Sequence, residues 1–333
     1  MDGTNRLHQT KLPRRAIFCE CWGRDGLQNE RQIVPTDTKV EMITRLVDAG
    51  LPFLEATSFA HPKYLPQFDD AEEVLRRIPR KKGVQYRAIC TTMKAVERAI
   101  ASKEEGYGVD EIALVISATE EYNMTNVGMD HTRNKAVIEK MVKRSQETGH
   151  KVLGWVATSF GCPIRGDVPL SEVAAMARWW VDQGVDHLGF GDTTGASNPL
   201  QASRFYEYIV AQGFDRNMVV VHFHDTRGWG VANSMVALTH GFTMFDTSIG
   251  AIGGQPQTGA ARYHTGFAGN TCTEDLVGMF EEMGVDTGID IDKLIAVGKR
   301  SEEILGRKLR SNFVDAGPVP HQGIRYDKER VIL

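Results

Sequence analysis

Two histidines in the segment VVVHFHDT, His222 and His224, have a spacing that could support shared chemistry. One residue separates them behind three valines, so on a β-strand both side chains would point to the same face. Their backbone positions would then lie about 7 Å apart, close enough for both imidazoles to bind one metal ion. The alternative is a pair of core histidines bonded to neighbouring backbone groups.

Regular elements must position these side chains, and the chain alternates β-rich runs with amphipathic helical runs. Eight segments have the composition of strands: RAIFCECW, PFLEATS, VQYRAIC, EIALVIS, KVLGWVATS, HLGFGD, MVVVHFH and MFDTSIGA. Helical patterns lie between them, and four of these end at a glycine expected at C′, namely Gly50, Gly149, Gly184 and Gly241. This alternation predicts parallel pairing of the strands.

Eight strand–helix units predict an α/β fold of the TIM (β/α)8 barrel type, with additional C-terminal helices. An open doubly wound sheet is the competing arrangement. It would need a glycine-rich dinucleotide turn after the first strand, and that turn reads GRDGLQNE, without GxGxxG. We expect an N-terminal extension over residues 1–15, the barrel domain with its C-terminal helices over 16–305, and an irregular tail over 306–333.

Composition restricts the classes of partner. Charged residues make up 25% of the 333 residues and the net charge is −4, which excludes a basic surface for nucleic acid or for an anionic membrane. The apolar runs are far shorter than the roughly 20 residues of a membrane span. The first 15 residues lack the apolar core of a secretory signal, although their basic residues leave an organelle transit segment as an alternative. Five cysteines without CxxC spacing predict free thiols and a cytoplasmic location.

In a (β/α)8 barrel the active site forms at the C-terminal rim, from strand ends and the loops that follow them. The polar residues predicted there are Arg24, Asp25, Glu55, Thr57, Ser58, Asp192, Thr193, His222, His224, Asp225 and Asn270. Asp25 with the two histidines would form a two-nitrogen, one-carboxylate site, and Asn270 could add an amide oxygen. Such ligands suit Mn²⁺, Mg²⁺, Co²⁺, Fe²⁺ or Zn²⁺, and an oxygen-rich site favours the others over Zn²⁺. Asp225 has the alternative role of capping the next helix, near Gly228.

Five segments resemble the 3-hydroxy-3-methylglutaryl-CoA lyase family, in that family's order: GRDGLQNE, EATSF, GDTTG, HFHDT and GNTCTEDLV. The resemblance extends from about residue 16 to 305. It implies that one divalent cation, Mg²⁺ or Mn²⁺ first and Zn²⁺ or Co²⁺ as alternatives, is bound by four residues, Asp25, His222, His224 and Asn270. It also implies that Arg24 stabilises the enolate oxygen, while Glu55 and Asp192 orient the site and its proton transfer.

Other roles at the rim remain open. Arg24 could only pair with a rim carboxylate, Glu55 could only support its neighbours, and Asp192 could only begin the TTGASNP turn. We expect Ser58, Thr193 and Asn126 to contact the substrate. Cys162 follows the fifth strand, where a packed thiol is the expected role.

The resemblance fails in the loop that carries the family's proton-transferring cysteine. The sequence reads GGQP, and Gln255 replaces that cysteine. An amide does not transfer protons at neutral pH, so the proton route must differ. Arg262, Tyr263 and His264 lie in the same loop, which is longer than the family's. We take Gln255 and His264 as the catalytic candidates there, with solvent-facing loop residues as the alternative.

Two further departures concern the substrate. Leu153 and Trp155 stand where the family has an arginine and a tyrosine, and Met124 and Thr125 stand where it has lysines that contact CoA. Losing these cations weakens the expectation of a CoA phosphate contact. The reaction class is therefore better supported than the substrate.

The resemblance predicts a divalent-metal-dependent carbon–carbon lyase of a 3-hydroxy-3-carboxylic acyl-CoA, with a substrate altered from hydroxymethylglutaryl-CoA. The partner would be a small acyl-CoA or hydroxy acid, and the family implies a homodimer or a higher homo-oligomer. One alternative is a synthase that condenses acetyl-CoA with a 2-keto acid. Another is a non-catalytic metal-binding barrel.

Overall fold

The computed structural model describes residues 12–254 and 268–320. Within them, eight parallel strands form a closed barrel in chain order, with the first strand paired to the last. The strands are β1 Ile17–Glu20, β2 Phe53–Ser58, β3 Gln85–Ile89, β4 Glu111–Ser117, β5 Lys151–Ala157, β6 His187–Asp192, β7 Val219–Phe223 and β8 Met244–Thr247. The predicted (β/α)8 barrel is confirmed, and the open doubly wound sheet is wrong.

Helices surround this barrel. Those in the described residues are α1 Thr36–Asp48, α2 Ala71–Arg77, α3 Met93–Glu104, α4 Glu120–Val127, α5 His131–Glu147, α6 Leu170–Asp182, α7 Pro199–Ala211, α8 Gly230–Thr239, α9 Thr273–Glu282, α10 Ile291–Leu305 and α11 Asn312–Ala316. Of these helices, none is both long and apolar enough to cross a membrane. The four glycines predicted at helix C-termini have positive φ angles, as that position requires.

Helix α1 shows why these segments are helical. Its buried apolar residues recur at helical spacing and form one face against the barrel: Met42, Ile43, Leu46 and Val47. On the outer face Arg45 pairs with Glu41 one turn earlier, at 2.9 Å between Nε and Oε1. Burial of the apolar face therefore determines which side of the helix meets the strands.

The C-terminal segment differs from the predicted irregular tail, because residues 312–316 form the short helix α11. The Ser311 hydroxyl accepts a hydrogen bond from the Val314 amide and donates one to Asp275 of α9, at 3.0 Å. Val314 is buried. A cap and one apolar anchor are signals too local to stand out in the tail's sequence.

The barrel interior below the rim is apolar on one side. Leu153 and Trp155 of β5 pack with Ala113 of β4 and, across the interior, with Val220 of β7. The indole of Trp155 lies directly over Gly189 of β6, where an added Cβ would be 2.1 Å from the ring. The absence of a side chain at position 189 therefore makes the space that the indole fills.

Gly189→Ala should displace the Trp155 indole and destabilise the fold by roughly 1–3 kcal/mol, the usual cost of overpacking a close-packed core. Gly191→Ala on the same strand is the matched control, since its Cβ would meet its nearest neighbours at 3.7–3.9 Å, an ordinary contact distance. Urea unfolding followed by tryptophan fluorescence measures both variants. Equal stability of the two variants would contradict the predicted clash.

Candidate metal centre and active-site rim

Arg24 and Asp25 lie on one π-helical turn after β1, Trp22–Gly26, which is a common local geometry at functional sites. The turn packs tightly against β2, because a Cβ on Gly23 would lie 2.8 Å from a backbone oxygen of that strand. Both charged residues are buried there, next to Glu55. Sequence analysis placed them at a strand end, and the structure places them one turn beyond it.

Arg24 links two buried carboxylates. Its Nη1 donates to Asp25 Oδ1 at 2.6 Å, its Nη2 donates to Glu55 Oε1 at 3.0 Å, and its Nε lies 2.8 Å from Glu55 Oε2. Burial lowers the pKa of Arg24, but the two carboxylates raise it by more, so it stays charged. Burial raises the pKa of Glu55, and Arg24 offsets only part of that effect. The ion pair considered for Arg24 is present, and it holds the guanidinium at the rim.

The two histidines meet at the end of β7, as their spacing predicted. Their Nε2 atoms lie 3.0 Å apart, and His224 Nε2 is 3.8 Å from Asp25 Oδ2. The carbonyl oxygen of Thr193 lies 2.7 Å from His224 Nδ1, so that nitrogen donates and Nε2 keeps its lone pair. Burial, followed by His222, lowers the pKa of His224 to about 4, so its imidazole is neutral at pH 7.

Asn270 completes the group through an isolated bridge to His224. Its Nδ2 donates to Asp25 Oδ2 at 2.6 Å, whereas its buried Oδ1 has no hydrogen-bond partner. Burial raises the pKa of Asp25, but Arg24 and the two histidines lower it by more. Ligand atoms of Asp25, His222 and His224 lie within 4.8 Å of one another. Two imidazoles, a carboxylate and an unpartnered amide oxygen fit the donor preferences of a divalent cation.

Asp192 has both carboxylate oxygens engaged by backbone. They accept from the amides of Ala196, at 2.8 Å, and Ser197, at 3.1 Å, which forms the turn that sequence analysis considered for this residue. Burial raises the pKa of Asp192 to about 6. The residue thus fixes the loop after β6, whose Thr193 contacts His224.

A cavity of about 580 Å³ opens beside the histidines. Arg24 and Asp25 line this cavity. The three residues predicted to contact the substrate line it as well, namely Ser58, Asn126 and Thr193. Its volume falls within the roughly 300–1,000 Å³ of small-molecule sites. The residues predicted to contact the substrate therefore share one cavity.

Two residues have the alternative roles that sequence analysis considered. Asp225 Oδ1 accepts from the amide of Gly230, at 2.7 Å, where α8 begins. Cys162 is buried, and its Sγ accepts from the Thr119 hydroxyl at 3.1 Å. The first contact bonds the amide at the start of α8, and the second packs the thiol against Thr119.

Gln255 and His264, with Arg262 and Tyr263, lie outside the described residues. The described chain on either side of them meets Asp25: the Gly254 amide donates to Asp25 Oδ2 at 3.2 Å, and Asn270 bonds to the same oxygen.

Asp246 and Arg87 are buried inside the barrel, and neither was among the residues predicted from the sequence. Asp246 of β8 pairs in register with His222 of β7. Both of its oxygens accept from Arg87 Nη1, at 3.1 and 2.9 Å. The available signal was a single charged residue inside each of two strand segments, VQYRAIC and MFDTSIGA.

Comparison with known proteins shows the family of this chain. The HMGL-like family model matches residues 15–300. Hydroxymethylglutaryl-CoA lyase YngG of Bacillus subtilis is 36% identical over 299 residues, covering 90% of this chain and 96% of the relative. The crystal structure of the B. subtilis HMG-CoA lyase has a TM-score of 0.85 at 34% identity, with 91% of this chain and 98% of that chain covered.

A further solved structure with the same score of 0.85 and 34% identity covers 92% of this chain and 97% of its own. It is an HMG-CoA lyase from Acinetobacter baumannii in complex with coenzyme A and 3-methylmalate. The barrel and these relatives define the class as carbon–carbon lyases. Within that class, the chain belongs to the HMGL-like family.

Proposed function

We propose that this chain is a divalent-metal-dependent lyase that cleaves a 3-hydroxy-3-carboxylic acyl thioester, or the corresponding hydroxy acid. The observation that carries the proposal is the clustering of Asp25, His222, His224 and the unpartnered Asn270 Oδ1 beside Arg24. These four residues would bind the cation, with Mg²⁺ or Mn²⁺ as the first candidates. Bound there, it would supply Lewis acidity toward the substrate's hydroxyl and carboxylate oxygens.

The reaction is a retro-Claisen cleavage. The substrate hydroxyl loses its proton, the bond between C2 and C3 breaks, and its electron pair moves into the thioester as an enolate. Protonation of that enolate gives a shorter thioester, and C3 becomes the ketone of a keto acid. Arg24 suits the enolate oxygen because a guanidinium stays charged and donates in a fixed fork.

Glu55 orients Arg24 through its two contacts. We keep Asp192 and His264 as candidates for proton transfer, and Gln255 as a catalytic candidate whose amide would form hydrogen bonds without transferring a proton. A pKa of about 6 suits Asp192 to such a step at neutral pH. His264 is the first candidate to take the place of the missing cysteine.

The cavity wall supports an altered substrate. The apolar part of that wall includes Ile89, Val115, Val127, Met129 and Trp155. Among the described residues that line the cavity, Arg24 is the only arginine or lysine, and two carboxylates already engage it. We therefore propose that the substituent on C3 is apolar and larger than methyl.

The test is a cleavage assay with Mg²⁺ or Mn²⁺ and mass detection of products. The substrates are hydroxymethylglutaryl-CoA, citramalyl-CoA, longer branched analogues and the free acids. Faster cleavage of a longer analogue supports both the reaction and the apolar wall. Preference for hydroxymethylglutaryl-CoA refutes the proposal of a larger apolar substituent and leaves the lyase proposal standing. A protein that binds metal and cleaves none of the panel refutes the lyase proposal and favours the condensing direction.

A further inference from the structure

His222 presents a second ring nitrogen to a buried acidic group. Its Nδ1 is buried without a hydrogen-bond partner among the described residues, and Asp246 Oδ2 lies 3.5 Å from it. The register of β7 and β8 places the two residues directly opposite each other, so the approach is set by the barrel. The Trp155 indole, 5.1 Å away between ring centroids, packs against the imidazole edge-on.

The role of Nδ1 follows from the chemistry of imidazole. For both Nε2 atoms to bind one cation, neither can carry a proton, and a neutral imidazole then carries its proton on Nδ1. At His224, the Nδ1 proton is donated in a hydrogen bond to the Thr193 carbonyl oxygen. At His222, the acceptor facing Nδ1 is the Asp246 carboxylate.

Arg87 keeps that carboxylate in place. Its Nη1 contacts both oxygens of Asp246, while its Nε donates to Glu111 Oε2 at 2.7 Å. Arg87, Glu111 and Asp246 are all nearly inaccessible to solvent. A buried charged group in such a network has one well-determined geometry, because every alternative leaves a charge uncompensated.

We infer that Asp246, braced by Arg87, is a positioning residue that holds His222 in the Nδ1–H tautomer needed to bind the cation through Nε2. The inference rests on the proposed metal site. It adds to that site the Asp246 carboxylate, which faces His222, and Arg87 of β3, which reaches Asp246 across the barrel interior. Such outer carboxylates typically contribute about 10–100-fold to metal affinity.

Asp246→Asn is the informative variant because it nearly preserves shape. The amide oxygen must face Arg87, which only donates, so the NH₂ group turns toward His222 Nδ1. An NH₂ donor there favours a bare Nδ1 and places the imidazole proton on Nε2, where it blocks the cation. Glu72→Gln is the matched control, since both Glu72 oxygens pair with Arg98 at 2.7 and 2.8 Å away from the cavity.

Calorimetric titration of the full chain with Mn²⁺ measures the effect. We expect the Kd for Mn²⁺ to rise about 10–100-fold in Asp246→Asn and to stay unchanged in Glu72→Gln. Saturating Mn²⁺ should then restore most of the cleavage rate with an unchanged KM, because Asp246 does not line the substrate cavity. A variant that lost only fold stability would show a lower Tm without this metal-dependent recovery.

Arg87→Lys provides a second test if Asp246→Asn does not fold. A lysine keeps the charge but lacks the fork that reaches both carboxylates, so the Kd should also rise, by a smaller factor. Wild-type affinity for Mn²⁺ in a folded sample of either variant overturns the inference. Failure of the wild-type chain itself to bind Mn²⁺ would instead refute the metal site on which it rests.

Discussion

Asp25→Asn should abolish metal binding and cleavage together. Asp25 Oδ2 lies 3.8 Å from His224 Nε2, and it also accepts from Asn270 and the Gly254 amide. An asparagine carries no charge, and its NH₂ would oppose one of these donors. Mutation of a residue that only supports a metal ligand raises the Kd by up to roughly 100-fold. We expect the Kd for Mn²⁺ to rise by more than this in Asp25→Asn, because the ligand itself is changed. Titration calorimetry and the cleavage assay measure the two effects.

The control for Asp25→Asn is the same change at an exposed acid. Asp37 pairs with Arg77 at 2.6 Å and is 84% exposed in its side chain, so Asp37→Asn should leave metal binding and cleavage unchanged. Chelation of the wild-type protein should reproduce the inactive state, and added Mn²⁺ should reverse it. Full activity in Asp25→Asn, or retained activity after complete chelation, would contradict metal-dependent cleavage.

The barrel and the clustering of Asp25 with the two histidines were predictable because both depend on local patterns. Alternation of strands and helices fixes the parallel pairing, and a spacing of two on a strand fixes that His222 and His224 share a face. Asp25 and Asn270 were then placed by the rule that loops after the strands meet at one rim. The structure places ligand atoms of Asp25 and both histidines within 4.8 Å of one another, and Asn270 bonds to Asp25.

The interior could not be predicted in the same way, because its contacts depend on register between distant strands. Asp246 meets His222 only because β7 and β8 pair at those two residues, and Arg87 reaches it from β3 across the barrel. Trp155 depends on Gly189 in the next strand, 34 positions later in the chain. None of these pairings has a short-range signal in the sequence.

Arg24→Lys should lower kcat about 10²–10³-fold, corresponding to roughly 2.7–4 kcal/mol of transition-state stabilisation. Lysine keeps the positive charge but cannot reach Asp25 and Glu55 with a rigid fork while also facing the enolate oxygen. We choose lysine because an uncharged residue would leave two buried carboxylates uncompensated, at a cost of about 3–5 kcal/mol of stability. Steady-state kinetics at saturating Mn²⁺ measure the effect.

Comparing the effects on kcat and on Mn²⁺ affinity distinguishes the role of Arg24 from that of the proposed metal ligands. Arg24 contacts Asp25 through Oδ1, whereas Asn270 and Gly254 bond to Oδ2, so Arg24→Lys should retain metal binding while kcat falls. Arg98→Lys, at a paired arginine outside the cavity, should leave both quantities unchanged. If Arg24→Lys loses Mn²⁺ affinity to the same extent as Asp25→Asn, Arg24 acts by ordering Asp25. A wild-type kcat in Arg24→Lys would exclude the guanidinium from stabilising the enolate oxygen.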